Sequence, residues 1–170
     1  ADQLFINTAG VGVIRSGMSM AAQKIQGGES IIVNGYLGDH GAAILLARKE
    51  LDIQAEIESD TQALNGLVDT ILDVCMEVRA MRDVTRGGLA TVLNEFAMSS
   101  KVGIRLFEKK LPVREKVSAV CEILGLDPLY FANEGKLVTV VPPDKAETVL
   151  KAMKSHPAGI DSAIVGEVFA

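Results

Sequence analysis

The chain has 170 residues, enough for one good hydrophobic core and not enough to require a second domain. Apolar residues make up 48% of it and charged residues 23%, the balance of a folded globular protein rather than a disordered one. A formal net charge of -5, with no long Lys/Arg run, argues against nucleic acid or an anionic membrane surface as the main partner and leaves a small molecule or another protein.

The first residues, ADQLFINTAG, have neither the basic start nor the long apolar stretch of a signal peptide, and no run is long enough to span a bilayer, so the cytoplasm is the expected compartment. Residues 3–14 (QLFINTAGVGVI) mix β-branched, aromatic and small residues and read as a strand. The polar, glycine-marked stretch that follows, RSGMSMAAQKIQGGES, is read as a connection and a boundary. SIIVNGYL (30–37) is a short apolar run, the mark of a buried strand, and DHGAAILLARKELD (39–52) switches to helical spacing with Asp39 and His40 at its entry.

A longer helix is expected over 60–80, where Leu64, Leu67, Val68, Ile71, Leu72 and Cys75 recur on one face. Then come a helix at 89–98, a strand at 102–108, and a helix at 113–125 stopped by Gly125. A strand at 135–142, a helix at 144–156 with Asp144 as N-cap, and a strand at 162–169 complete the order. Strands alternating with amphipathic helices predict an α/β or α+β layered fold, a mixed sheet covered by helices on one face or both. Cys75 and Cys121 sit in apolar helical patterns, outside any CxxC or Cys/His cluster, and read as buried thiols rather than ligands.

Three stretches carry chemistry. In MRDVTRGGLATVLNEFA (81–97), Gly87 and Gly88 precede a helical run whose first turn can offer unpaired N–H groups and the positive end of the helix dipole to an anion. Arg82 and Arg86 could add charge-assisted hydrogen bonds, whereas Asp83 would repel a bare phosphate unless a divalent cation sat between them. The competing reading is that Asp83 and Thr85 cap the helix and the glycines permit a tight turn. In GDHGA (38–42), Asp39 can cap and His40 can titrate near neutral pH. In PLYFANEGKL (128–137), Glu134 either is desolvated beside Tyr130 and Phe131 and serves as a proton acceptor, or sits in a solvent-facing Asn-Glu-Gly turn. His156, at a helix end before Pro157, reads as structural.

Taken together, DQLFINTAGVGVI, VNGYLGDHGAAIL, MRDVTRGGLATVLNEFA, LGLDPLYFANEGKLV and SHPAGIDSAIVGEV resemble, in order and along nearly the whole chain, the carboxy-terminal half of the HypE family of hydrogenase maturation proteins. That family lies within the superfamily of aminoimidazole ribonucleotide synthetase. The resemblance implies an aminoimidazole ribonucleotide synthetase-like carboxy-terminal domain over 28–170, with 1–27 as the last strand of an amino-terminal domain plus linker, and a chain cut at both ends. It implies an ATP-dependent dehydration in which a cysteine carbamoylated by HypF becomes a thiocyanate, whose cyanide passes to HypC and HypD for the nickel-iron centre. It also implies a homodimeric parent that is active only when whole.

Carried over by position, Asp83 is the expected Mg²⁺ residue, and Thr85, Arg86, Gly87 and Gly88 fall beside the ATP phosphates. Glu134 becomes the base or amide-orienting group, and Asp39 and His40 line the cleft. The family's Pro-Arg-Ile-Cys tail has no match here, and neither Cys75 nor Cys121 corresponds to its cysteine. Two other readings stand beside this one: a different ATP-using synthetase or kinase of the superfamily, and a docking module for maturation partners.

Overall fold

The computed structural model describes residues 7–48 and 56–170. Strands β1 (Ser30–Val33), β2 (Ala80–Asp83), β3 (Gly103–Leu106), β4 (Leu137–Val141) and β5 (Ala163–Phe169) form one sheet in the order β2-β4-β1-β5-β3. Every neighbouring pair is antiparallel, which corrects the mixed sheet expected from the alternation of strands and helices. Strands joined through helices, β1 to β2 and β4 to β5, do run the same way, but an oppositely directed strand lies between the members of each pair. This is a split βαβ arrangement, in which the crossover skips a strand and leaves no parallel neighbours.

The helices are α1 (Asp39–Ala47), α2 (Asn65–Val74), α3 (Gly88–Ser100), α4 (Glu115–Leu124) and α5 (Ala146–Lys154). Successive side chains of a strand point to opposite faces, and here both faces are apolar. On one, Ile31, Val33, Val138 and Val140 pack with Leu89, Val92, Leu93 and Phe96 of α3. On the other, Ile32, Leu137 and Val141 pack with Leu67 and Ile71 of α2 and with Val149 and Met153 of α5. Helices therefore cover both faces. A smaller cluster joins α1 to α4 through Ala42, Val117, Cys121 and Phe131.

Several local expectations change. Of the strand expected over 3–14, residues 3–6 lie outside the described ones and 7–14 form no strand: Val11 and Val13 are fully exposed, and the segment has no ladder partner among the described residues. The chain then docks through Arg15, which pairs with Asp69 at 2.6 Å and Asp73 at 2.9 Å on α2. The helix expected over 60–80 shrinks to α2, because 60–64 are held as a loop and 80–83 are drawn into the sheet as β2. Asp144 does not cap: a 3-10 turn, Pro143–Lys145, leads into α5 without a side-chain cap bond.

Gly125 does end α4, at φ 65°, with Leu126 N–H returning to the Cys121 carbonyl at 2.9 Å. Cys75 and Cys121 are free and buried, and burial pushes both thiols above their ordinary pKa. The helix expected over 39–52 is seen as α1, its residues 49–52 lying outside the described ones. The edge strands β2 and β3 each carry an arginine, Arg82 ion-paired with Glu95 and Arg105 with Glu167.

Candidate functional site

The carboxy-terminal ends of β1 and β2 and the amino-terminal end of β4 lie together, as the pairs Val33 with Val138 and Asp83 with Leu137 show. Three loops therefore leave the sheet at one end, 34–38, 84–87 and 131–136. A single buried amide fastens them. Asn133, 1% exposed, accepts the Gly38 N–H at 2.8 Å and donates to the carbonyls of Val84 at 2.9 Å and Phe131 at 3.0 Å. Asn34 does the same one step away, donating to Gly135 and Ala158 carbonyls and accepting the Leu137 N–H at 2.8 Å. Only an amide side chain supplies both donors and an acceptor without charge, which is why Asn suits these junctions. A backbone bond from Val84 N–H to the Lys136 carbonyl at 3.0 Å extends the β2–β4 ladder past the strand ends, and Gly41 N–H in α1 reaches the Ala132 carbonyl at 2.9 Å.

On this frame, Glu134 and His40 are brought together: Glu134 Oε1 lies 3.9 Å from His40 Nε2. Glu134 is half-exposed, so the desolvation expected from Tyr130 and Phe131 does not occur within this chain. Tyr130 faces solvent and Phe131 turns into the cluster between α1 and α4. Asp83 ends β2, exposed, with Oδ2 accepting the Thr85 hydroxyl at 2.5 Å. Neither residue caps α3: its N-cap is Gly87, at φ 74°, with no side-chain bond.

Arg86 is exposed and has no ion-pair partner among the described residues. Gly88 is buried, at φ 63°, and a Cβ there would meet the Leu129 carbonyl at 2.3 Å and that of Phe131 at 2.6 Å. Those two oxygens close one side of the first turn of α3 and oppose an anion there. Gly88 therefore permits close packing, and the open part of the turn is Arg86 and Gly87.

Asp39 and His40 part company. Asp39 is 6% exposed; its Oδ2 meets Arg114 Nε at 3.1 Å, and its Oδ1 has no hydrogen-bond partner among the described residues. It does not cap α1, whose N-cap is Gly38. The Arg114 guanidinium also stacks 4.0 Å over the Tyr36 ring. Asp39 lines a cavity of about 640 Å³ with Asn34, Tyr36, Arg114 and Lys136, whereas His40 and Glu134 do not line it. His156 accepts the Ala158 N–H at 3.1 Å, a structural cap. No group of three or more His, Cys, Asp or Glu that could hold a metal occurs among the described residues, so Asp83 stands as a single carboxylate. Sequence reading missed Ser59 and Asp60, which contact His40 and the Glu134 backbone; the ESDTQ stretch shows no periodicity that would have marked them.

Residues 26–170 match the family described as AIR synthase related protein, C-terminal domain. The chain belongs to this family. It is 50% identical over 169 residues to the carbamoyl dehydratase HypE of Azotobacter vinelandii, covering 99% of this chain and 50% of that protein. A HypE solved in complex with HypF superposes with a TM-score of 0.89 at 44% identity, covering 92% of this chain and 52% of that one. A HypE solved in complex with ATP superposes at 0.83 and 41% identity, covering 89% and 45%. The resemblance carried by the five motifs thus holds along nearly the whole chain, which spans about half the length of the curated relatives it matches.

Proposed function

We propose that this chain is the carboxy-terminal portion of a HypE-type carbamoyl dehydratase, which uses ATP to turn an S-carbamoylated cysteine into a thiocyanate for nickel-iron hydrogenase maturation. The observation that carries this reading is the Glu134–His40 pair, a carboxylate and an imidazole 3.9 Å apart on loops tied to the strand end that bears Asp83. The names of the relatives and the ATP and HypF complexes of similar structures support it.

Dehydrating a primary carbamoyl group removes its oxygen and both N–H protons. Bound ATP supplies the phosphoryl group that makes the oxygen a leaving group. One N–H proton would pass to solvent as the oxygen is phosphorylated, and Glu134, half-exposed and paired with no Lys or Arg among the described residues, would take the second as phosphate leaves and the carbon–nitrogen triple bond forms. His40 faces that carboxylate through Nε2 and stabilises its orientation. Asp83 would contribute one carboxylate to a Mg²⁺ ion, which needs only one or two beside the substrate phosphates. Thr85 occupies Asp83 Oδ2 and leaves Oδ1 for that contact. Arg86 and Gly87 would meet phosphate oxygens, and Gly88 would act by packing.

HypF as carbamoyl donor, the HypC and HypD pair as cyanide acceptor, a homodimeric whole protein and a cytoplasmic setting complete the proposal. Among the described residues no helix is long and apolar enough to cross a membrane. The test is single-turnover conversion of carbamoylated cysteine with Mg-ATP in the whole protein that contains this chain. Glu134→Gln is expected to slow the dehydration by about 10²–10⁴, the usual worth of a positioned base. Turnover within twofold of wild type would sink the reading.

A further inference from the structure

Residues 59–62, between α1 and α2, touch both members of the Glu134–His40 pair from behind. Ser59 Oγ lies 2.8 Å from His40 Nδ1 and also receives the Thr61 N–H at 3.3 Å, with Thr61 Oγ1 at 2.7 Å. Asp60 Oδ1 accepts the backbone N–H of Glu134 at 3.0 Å, and its Oδ2 lies 2.9 Å from Lys136 Nζ. Gln62 Nε2 donates to the Gly135 carbonyl at 3.0 Å. At Gly135 a Cβ would sit 1.9 Å from the Asp60 carbonyl oxygen, so glycine alone lets the two segments meet.

We infer that Ser59, Asp60 and Gln62 are positioning residues that hold Glu134 and His40 in register for proton transfer. What the pair does rests on the function proposed above; how it is held rests on the contacts alone. Two features make the arrangement more than stabilising. The Asp60–Lys136 pair is almost fully buried, 3% and 8% exposed at the side chains, and a buried ion pair adds little net stability because both ions lose water. What it does bear on is geometry: one carboxylate takes the Glu134 backbone N–H through Oδ1 and faces the Lys136 ammonium through Oδ2, tying the two residues on either side of Gly135 to one group.

The second feature concerns the imidazole. Ser59 Oγ accepts the Thr61 backbone N–H and lies within hydrogen-bond distance of both the Thr61 hydroxyl and His40 Nδ1, so it holds the imidazole by Nδ1 and leaves Nε2 turned toward Glu134. Ser59 therefore orients the ring and sets its tautomer balance through Nδ1.

The test has a spectroscopic arm and a kinetic arm. In this chain, ¹⁵N spectra of the His40 ring, distinguished from His156, the other of the two histidines, report where the ring hydrogen sits. Ser59→Ala, at an exposed position, is expected to fold normally and to shift the His40 ring toward the mixed tautomers of free imidazole. In the whole protein it is expected to lower kcat about tenfold with KM unchanged, and Asp60→Ala about a hundredfold, the scale of a displacement near 1 Å. Because Asp60→Ala strands the Lys136 charge, Asp60→Asn combined with Lys136→Met serves as the second variant. It keeps an acceptor for the Glu134 N–H without a buried charge and, losing only the hold at Lys136, is expected to lower kcat about tenfold, less than Asp60→Ala. Any result for Ser59→Ala other than a changed ring spectrum together with a lower kcat overturns the inference, as does a loss of kcat in the neutral pair variant as deep as in Asp60→Ala. If Glu134→Gln itself turns over normally, the proposed reaction fails instead, and the ring spectrum still judges the Ser59 contact.

Discussion

The strongest structural prediction concerns Asn133. Replacing it with Ala deletes one acceptor and two donors at a position 1% exposed. The Val84 carbonyl keeps the Asn133 backbone N–H at 3.1 Å, but the Gly38 N–H and the Phe131 carbonyl lose the partner that the side chain supplied. Each buried group left without a partner costs about 1–3 kcal/mol, so two give roughly 2–6 kcal/mol. In a domain of this size, where 1 kcal/mol moves Tm by about 2–4 °C, the midpoint should fall by roughly 4–24 °C.

Circular dichroism melts and urea titrations measure this, and the urea slope should stay unchanged if only the native state is affected. Asn133→Asp separates packing from hydrogen bonding, since it keeps the volume and the acceptor but removes both donors. It should be about as damaging as Ala. An Asn133→Ala midpoint within 2 °C of wild type, or an Asn133→Asp protein as stable as the parent, would refute the account of one amide fastening three loops.

Gly135→Ala should destabilise by about 1–3 kcal/mol through overpacking, because the new methyl group collides with the Asp60 backbone rather than with a flexible side chain. A urea midpoint equal to wild type would show that the two segments can separate freely. For Cys75 and Cys121, burial holds the thiols protonated in the folded state above the ordinary thiol range. An aromatic disulfide reagent at pH 8 should therefore label both slowly until urea unfolds the protein. A group whose pKa is raised by folding contributes stability at low pH and loses it on the alkaline side, so stability should decline as pH passes above the usual thiol range. Complete labelling of native protein within seconds would contradict this.

Much of the scaffold could be read before any coordinates, and what escaped has physical causes. The spacing of Leu67, Ile71 and Leu72 marks α2, and the apolar run at 137–141 marks β4, because both follow the period of their element. By contrast, β2 is drawn from VRAMRD, whose edge position needs no apolar alternation, and it is defined by its ladder to β4. Residues 7–14 have strand-like composition without a ladder, and composition alone does not supply one. Strand direction was hidden for a similar reason: the skipped strand in each crossover is a long-range choice.

At the candidate site, the motif around Glu134 was legible as a loop leading into a strand, and the structure puts His40 beside it. The fate of Gly88, closed off by two carbonyls, and the inward turn of Asp39 toward Arg114 depend on segments more than 40 residues away in the chain, 75 for Arg114. Ser59 and Asp60 belong to the same class, positions whose role appears only when the loops meet.

The two rims of the sheet have a consequence for self-association. Each rim strand is four residues long and carries a guanidinium already matched to a carboxylate of its own chain. A second copy adding a strand at either rim would have to strip water from Arg82 or Arg105 and disturb an existing pair, in exchange for only a few main-chain bonds. Extension into filaments through these rims is disfavoured even in crowded solution, which among the described residues leaves the helical and loop surfaces for any pairing of this chain.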